Sequence, residues 1–190
     1  MQDSFFAMLS RMKYINRWAL MRNTSFESLS EHSLEVAVIA HALAVINNVR
    51  FQGNLNPERA AVLAIFHDAP EILTGDMPTP VKYYNEEIRS AYKQVESAAV
   101  DKLVGMLPDD LQDAYKELLM PGDAQYKKII KAADKISAII KCIAERRAGN
   151  CEFLSAEKST LELIENCGLP EAKAFLEEFI PAYTRTLDEK

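Results

Sequence analysis

Apolar residues recur three and four positions apart along most of this chain, and no run of alternating β-branched residues is bounded by hairpin turns. The pattern therefore predicts an all-α helical bundle. An amphipathic helix is expected within the first twenty residues. Further helices are predicted at about 28–48, 57–73, Tyr83 to Met106, Asp109 to Leu119, Gln125 to Ala148, Glu152 to Asn166 and Pro170 to Leu187, with breaks at Pro108, Pro121-Gly122, Gly149-Asn150 and Gly168.

Two of these helices have specific start signals. Ser28 and Glu31 have the spacing of a capping box, and the helix that follows has few polar residues, which predicts deep burial. Asn56-Pro57 reads as an N-cap followed by proline at the first helical position. Pro70 is expected to bend or shorten the end of that helix. The segment 74–80, with two prolines and a glycine, is predicted to be a defined loop that holds Asp76 rigidly.

Length and composition limit the class of protein. A chain of 190 residues fits one domain, 1–190, and its net charge of −6 disfavours binding to a nucleic-acid polymer. Three cysteines without CxxC spacing predict neither a disulfide framework nor a thiolate zinc site. No signal-peptide core is evident, and the longest apolar run, Val36 to Ile46, is about half a membrane span. We expect a soluble cytoplasmic protein without membrane attachment.

The dipeptide His67-Asp68, followed by Glu71, is the strongest indication of chemistry. On a helix that advances about 100° per residue, His67 and Glu71 lie about 40° apart, and Asp68 lies on the adjoining flank. One pocket can therefore reach two metal-ligand types and a further carboxylate, which favours a metal-dependent hydrolase.

The only other histidines are His32 and His41. They are nine positions apart and hence about 180° around their helix, so they cannot face the same site. We select His32 as the ligand, because it lies one turn inside the helix start, where functional residues can meet solvent. His41 is predicted to be a core histidine with a local hydrogen bond, since its neighbours are apolar.

Asp134 is the candidate for the remaining ligand. It is flanked by small and apolar residues, where a carboxylate needs a partner. Two imidazoles and two carboxylates suit Mn, Co, Fe, Zn or Ni. Taken singly, the histidine-aspartate pair can arise by chance, Asp134 can pair with Lys131 or Lys135 on a helix surface, and Arg17-Trp18 can be an ion pair beside a half-buried aromatic ring.

Together, these residues carry a family resemblance. The ordered set His32, His67-Asp68 and Asp134 resembles the HD-domain superfamily of metal-dependent phosphohydrolases. Six segments look like the bacterial 5′-deoxynucleotidases of the YfbR type: Ile15 to Trp18, Ser30 to Ser33, His67 to Glu71, Leu73 to Asp76, Pro78 to Tyr83 and Lys131 to Asp134. Pro70 departs from the pattern that we expect in many relatives.

The resemblance implies hydrolysis of deoxyribonucleoside 5′-monophosphates to deoxynucleosides and phosphate, with ribonucleotides as poor substrates, by a homodimer. It implies one divalent cation, cobalt, manganese or similar, held by His32, His67, Asp68 and Asp134. Glu71 matches the catalytic acidic residue, Arg17 the phosphate-binding arginine and Trp18 the tryptophan that orients the substrate. The substrate contacts implied are Arg17, Trp18, His32, Asp68, Asp134 and the loop residues Asp76, Met77, Pro78 and Thr79.

Three other functions compete with this one. The chain can be an HD phosphohydrolase of a triphosphate or cyclic nucleotide, although the sequence shows only Arg17, Lys82 and scattered lysines for extra phosphates. It can be a non-catalytic metal-bound nucleotide sensor, for which Glu71 would be unnecessary. It can also be a metal-free helical interaction protein, whose melting temperature would not respond to metal removal.

Overall fold

The computed structural model describes residues 3–82 and 84–189, and this part of the chain contains no β-strand, only an isolated bridge between Asn16 and Ser28. The prediction of an all-α fold is confirmed. The helices are α1 Phe5–Leu9, α2 Leu29–Arg50, α3 Pro57–Phe66, α4 Glu71–Thr74, α5 Thr79–Lys82, α6 Glu86–Val104, α7 Asp109–Leu119, α8 Ala124–Arg147, α9 Leu154–Glu165 and α10 Pro170–Glu178. Short 3₁₀ turns cover Ser10–Tyr14, Cys151–Phe153, Ile180–Thr184 and Leu187–Glu189.

The long helices α2 and α8 form the centre of the fold, and α3 and α10 pack beside them. Their shared core contains Val36, Leu43, Leu63, Ile136 and Ile139, all essentially inaccessible to solvent. A second apolar cluster lies under α1 and α6. Complete burial of each large aliphatic side chain contributes roughly 1.5–3 kcal/mol. This packing fixes the positions of α2, α3 and α8, which carry the residues of the predicted site.

Both predicted helix starts are confirmed. Ser28 Oγ accepts a hydrogen bond from the Glu31 backbone N–H, and the Glu31 carboxylate accepts one from the Ser28 N–H at 2.7 Å. The Asn56 side chain accepts a hydrogen bond from the Arg59 N–H at 2.7 Å. These caps satisfy backbone donors that the first helical turn leaves free.

The single helix predicted over 57–73 is wrong, because α3 ends at Phe66 and α4 begins at Glu71. Between them the backbone bonds run from residue i to i−3: Ala69 N–H donates to Phe66 O at 3.1 Å, and Glu71 N–H to Asp68 O at 3.0 Å. Pro70 has no N–H to give an α-helical bond. His67 and Asp68 therefore lie in a tight turn at the end of α3, and the angular argument from one regular helix does not apply to them.

Other helix ends differ from the predicted ones where the local sequence pattern is weak. The last helix, predicted to reach Leu187, ends at Glu178, and the chain continues in 3₁₀ turns around Pro181. The N-terminal helix is only Phe5–Leu9. The helix predicted from Tyr83 begins at Glu86, capped by Asn85; Tyr83 itself lies outside the described residues.

The prediction that α2 is deeply buried throughout is wrong on one face. Leu34, Val38 and Val49 are 65%, 64% and 77% exposed, and His41 is exposed on the same side. His41 is therefore not a core histidine, because α3 and α8 cover only the opposite face of α2. By length and composition α2 passes the test for a membrane-spanning helix, but its inner face is in the core, as in a central helix of a soluble protein.

Candidate metal centre and active site

Four predicted ligands from three helices lie together. His32 comes from the first turn of α2, His67 and Asp68 from the turn after α3, and Asp134 from the middle of α8. Asp68 Oδ2 is 3.0 Å from His67 Nε2 and 3.4 Å from His32 Nε2. Asp134 Oδ1 is 3.3 Å from His32 Nε2. One ligand atom from each of His32, His67 and Asp68 lies within 4.8 Å of the others, close enough to hold a metal ion together.

Hydrogen bonds orient both imidazoles toward this point. The Nδ1 atom of His67 lies 2.7 Å from Ala64 O, which can only accept, so Nδ1 carries the proton. The Ser137 hydroxyl donates to Glu35 Oε2 at 2.6 Å, and its oxygen accepts from His32 Nδ1 at 3.0 Å. The two Nε2 atoms are buried with no hydrogen-bond partner among the described residues. Two oriented nitrogen donors beside two carboxylates fit a divalent cation.

The predicted ligand residues shift one another's pKa values. Burial lowers the pKa of His32, but the carboxylates of Asp134, Asp68 and Glu27 outweigh it and raise that pKa to about 10. Burial acts in the opposite direction on the pKa of Asp68, yet the adjacent His67 and His32 lower it well below its usual value. The pKa of Asp134 is likewise lowered, by His32 and Lys135 against burial. Both carboxylates are therefore held in the ionised form that binds a cation, while the raised pKa of His32 means that a cation would displace a proton from its imidazole.

Arg17 reaches the group from the segment before α2. Arg17 N–H donates to Glu27 O at 3.0 Å and Leu29 N–H donates to Ile15 O at 2.8 Å, so this segment pairs with the start of α2. The guanidinium lies 3.7 Å from Asp68 and 4.0 Å from Asp134. Burial lowers its pKa, but Asp134, Glu27 and Asp68 raise it above the usual value. The permanently charged guanidinium group of Arg17 thus lies beside the four predicted ligands.

Trp18 has a left-handed backbone, with φ of +60°, which is uncommon for a bulky residue. Its backbone N–H donates to Asp76 Oδ2 at 3.3 Å, and its indole N–H donates to Glu27 Oε2 at 2.8 Å. The ring packs on Phe153 with centroids 5.2 Å apart. These contacts hold a strained conformation, and such strain is often found at functional sites.

The acidic residues Glu71 and Asp76 flank the group. Glu71 is 8% exposed, and its Oε2 atom is buried without a hydrogen-bond partner in the part of the chain that the structure describes. Burial, together with the negative charges of Asp68 and Asp76, raises the pKa of Glu71. Burial also raises the pKa of Asp76. In the same loop, Met77 and Pro78 are half-buried and Thr79 is exposed at the start of α5.

Sequence reasoning missed the residues that support the ligands. Glu27 bonds Trp18 and lies 3.5 Å from Arg17 Nε, while Ser137 and Glu35 orient His32. Glu35 and Ser137 each follow a ligand by three positions on the same helix, so the i,i+3 rule places them on the ligand's face. This three-residue spacing is the sequence feature that could have identified Glu35 and Ser137.

A second buried network anchors the loop between Trp18 and α2. The Glu145 carboxylate, 1% exposed, accepts hydrogen bonds from Thr24 N–H, Thr24 Oγ1 and Asn150 Nδ2 at 2.9, 2.7 and 2.9 Å. It also pairs with the buried Lys141 ammonium. Burial raises the pKa of Glu145, but the bonds from Lys141, Asn150 and Thr24 outweigh it and lower that pKa.

We expect Glu145→Gln to lower the free energy of unfolding by about 3–5 kcal/mol, because it leaves the buried Lys141 charge without its partner. The difference from the wild type should shrink below pH 4.5, the ordinary pKa of glutamate, as the depressed carboxylate of the wild type is protonated. Urea unfolding at pH 7 and at lower pH measures both effects. Glu165→Gln, at an exposed position on α9, is the control; equal stability of the two variants would contradict this role.

Comparison with known proteins identifies the family. A family model described as 5′-deoxynucleotidase YfbR-like matches residues 4–183. A 5′-deoxynucleotidase of Erwinia tasmaniensis is 50% identical over 189 residues, covering 97% of this chain and 94% of its own. A 5′-deoxynucleotidase of Vibrio cholerae is 50% identical over 192 residues, covering 100% of this chain and 99% of its own.

Solved structures show the same fold. An HD-domain phosphohydrolase of Listeria innocua is 27% identical with a TM-score of 0.83, over 95% of this chain and 88% of that chain. A cyanophage S-2L HD phosphohydrolase, bound to dA and one catalytic Zn²⁺ ion, has a TM-score of 0.69 at 18% identity, over 98% of this chain and 100% of that chain. At 18% identity, the similarity to the cyanophage protein supports the fold assignment alone. With a family model that matches nearly all of its length and relatives at half identity, this chain belongs to the 5′-deoxynucleotidase YfbR-like family of HD-domain proteins.

Proposed function

We infer that this chain is a 5′-deoxynucleotidase that hydrolyses deoxyribonucleoside 5′-monophosphates to deoxynucleosides and phosphate. The observation that carries this function is the meeting of His32, His67, Asp68 and Asp134, with Arg17 beside them and Glu71 buried nearby. The HD-type domain then extends over 1–190, and the enzyme acts in the cytoplasm.

His32, His67, Asp68 and Asp134 would hold one divalent cation, cobalt, manganese or a similar ion. Such a cation supplies acidity to a bound water and neutralises phosphate charge. Mixed nitrogen and oxygen donors without thiolate favour ions of this borderline class. The cyanophage structural relative is described as bound to one catalytic Zn²⁺ ion.

Arg17 would bind the phosphate. Its planar guanidinium can donate two parallel hydrogen bonds to phosphate oxygens, which a lysine does not match. Because Arg17 is buried and pairs with Asp68, Asp134 and Glu27, it is held in place before substrate arrives. Positioning the phosphate in this way lowers the entropic part of the barrier.

Burial and the charges of Asp68 and Asp76 raise the pKa of Glu71, and a bound cation would offset those charges and favour the ionised form. Ionised Glu71 would then accept a hydrogen bond from the attacking water through its unpaired Oε2 atom and take up the proton. As the water oxygen bonds to phosphorus, the bond from phosphorus to O5′ breaks. The departing O5′ then receives a proton from water, Glu71 returns its proton to the solvent, and deoxynucleoside and phosphate are released.

Discrimination against ribose would come from Asp76, Trp18 and the loop that follows Asp76. Asp76, held by the Trp18 N–H, is placed to accept a hydrogen bond from the 3′-hydroxyl. The Trp18 ring, fixed by Glu27 and Phe153, and the loop from Asp76 to Pro80 would form a close wall beside C2′. A 2′-hydroxyl there would clash or lose its hydration without replacement.

Phosphate release from matched deoxy- and ribonucleoside 5′-monophosphates tests the function. The protein is stripped with chelator and reloaded separately with Mn²⁺, Co²⁺, Mg²⁺ or Zn²⁺. We expect metal-dependent release from the deoxy substrates alone. Binding of deoxynucleotides without release under any metal would instead support a nucleotide sensor, and a larger rate with triphosphate or cyclic nucleotides would support another HD phosphohydrolase.

We also propose that the protein is a homodimer. Leu34, Val38, Val45 and Val49 are exposed on α2, and at about 100° per residue they lie within an arc of about 60°. An exposed apolar stripe of this kind, here interrupted by His41, is typical of an interface. Two copies could cover this stripe by packing α2 against α2 around a twofold axis.

Val38→Glu should convert the dimer to a monomer, because it places a charge in the middle of the stripe. Sedimentation equilibrium measures the mass. Val95→Glu, at a valine 50% exposed on α6, should leave the mass unchanged. A wild-type monomer, or a Val38→Glu dimer as stable as the wild type, would exclude this interface.

A further inference from the structure

A cleft of about 650 Å³ opens beside the metal ligands. It is lined mainly by residues of α6 and α8, and the chain between α7 and α8 also contributes to its lining. His67 and Asp134 line it, so it leads to the metal-binding group. Neither Trp18 nor the loop Asp76 to Thr79 lines it. The cleft therefore approaches the phosphate position from a different side than the residues proposed to hold the nucleoside.

The lining of this cleft is strongly basic, although the chain has a net charge of −6. Glu96 and Asp134 are its acidic residues, against six basic residues: Lys82, Arg89, Lys93, Lys127, Lys131 and Lys135. These lysines are scattered along the sequence, but the fold brings them together in one cleft. Lys127, Lys131 and Lys135 follow one another every four residues on α8, about 6 Å apart along its axis.

Several of these charges are not neutralised by the protein. Lys82 pairs with Glu96 at 2.7 Å, and Lys135 pairs with Asp134 at 3.1 Å. Lys93, Lys127 and Lys131 have no carboxylate within ion-pair distance among residues 3–82 and 84–189. Three exposed ammonium groups without a carboxylate partner thus line one cleft, and an anion bound between them would be attracted to all three.

We propose that this cleft is a subsite for additional phosphate groups, at which a deoxynucleoside triphosphate binds with its α-phosphate at the metal centre and its β- and γ-phosphates along Lys93, Lys127 and Lys131. A monophosphate is already served by Arg17 and the cation, so it does not need these lysines. The triphosphate would then compete with the monophosphate substrate. The inference rests on the proposed function only for the position of the nucleoside.

The direct test uses inorganic tripolyphosphate and chelator-treated protein, so that neither catalysis nor a metal contributes. Isothermal titration calorimetry should show binding that weakens with added salt. The double variant Lys93→Glu with Lys131→Glu should weaken it at least about tenfold, since two attractions become repulsions. The matched control, Lys102→Glu with Lys128→Glu, changes the same charge on the same two helices outside the cleft and should bind within about twofold of the wild type.

A second arm identifies the nucleotide. With the metal-loaded enzyme, dATP should inhibit hydrolysis of dAMP competitively, and the Lys93→Glu, Lys131→Glu variant should lose most of this inhibition while the control keeps it. Equal tripolyphosphate binding by both double variants would overturn the subsite. Tripolyphosphate binding without competition by dATP would overturn the nucleotide assignment. A variant that lowers only kcat/KM for dAMP, with neither effect, would show that the lysines merely attract the substrate. Because the first arm requires no turnover, failure of the nucleotidase function would be seen separately.

Discussion

Glu71→Gln should lower kcat for deoxyribonucleoside 5′-monophosphates by about 10³-fold, within the range typical of a lost general base. Glutamine keeps the volume and the acceptor oxygen of the side chain but cannot take the proton from the attacking water. Metal binding and the Kd for dAMP should remain within about threefold of the wild type, because the cation and the phosphate are held by other residues. Single-turnover kinetics, metal analysis and calorimetry measure the three quantities.

The same variant should be at least as stable as the wild type. In the folded protein, burial and the charges of Asp68 and Asp76 raise the pKa of Glu71, so an ionised carboxylate is unfavourable there. Glutamine is neutral in both the folded and the unfolded chain, so the variant avoids the cost of burying or protonating this carboxyl group on folding. A loss of activity with an unchanged or higher Tm therefore separates a catalytic role from a structural one. Glu87→Gln, exposed on α6, is the control; near-normal kcat in Glu71→Gln would refute the assigned role.

Local chemistry explains which parts of the fold are predictable. The starts of α2 and α3 follow from Ser28 with Glu31 and from Asn56 with Pro57, whose bonds span three residues. The bounds of α7 are predicted to the residue, since Pro108 and Pro121 delimit it. Where the end of an element depends on other helices, as for α10, periodicity alone extends it too far.

Burial was less predictable than helix position. The spacing of His32 and His41 correctly places them on opposite faces of α2, but both faces are apolar, so the sequence does not show which one meets the core. The structure buries His32 completely and exposes His41 beside Val38 and Val45. An apolar helix face is ambiguous until its partner is known, whether that partner is the core or a second copy.

The candidate site also contains residues that the sequence predicts and residues that it does not. Residue chemistry and the family resemblance identified the four predicted ligands, and the structure brings them together. The spacing from Asp134 places Ser137 on the ligand's face of its helix, but no local pattern shows that Ser137 bonds His32, 105 positions away, or that Glu145 bonds Thr24, 121 positions away. The lysines of α6 and α8 likewise meet only because these helices face each other across the cleft.

Asp68→Ala should weaken binding of the divalent cation by at least about 100-fold and abolish phosphate release. A residue that contacts the cation directly matters no less than the neighbours that orient such residues, whose loss costs about 10–100-fold. Asp68 is the carboxylate that both imidazoles share, at 3.0 Å from His67 and 3.4 Å from His32, and it also faces Arg17. Its loss removes a negative ligand and leaves Arg17 and the cation to repel each other at close range. Metal content after gel filtration, with the Kd from competition against a chromophoric chelator, measures the effect.

Thermal unfolding distinguishes this outcome from simple misfolding. A ligand that binds only the folded state raises its stability, so Mn²⁺ or Co²⁺ should raise the Tm of the wild type and of Asp113→Ala, an exposed control on α7, but not that of Asp68→Ala. The metal-free Tm of Asp68→Ala should fall below that of the metal-free wild type, because Asp68 also pairs with His67, His32 and Arg17. The rise in Tm on adding metal, measured from each variant's own metal-free Tm, is therefore the quantity to compare. If instead chelation leaves the wild-type Tm unchanged and Asp68→Ala still binds metal as the wild type does, the four residues are an internal ion-pair cluster, and the metal-free interaction protein becomes the correct description.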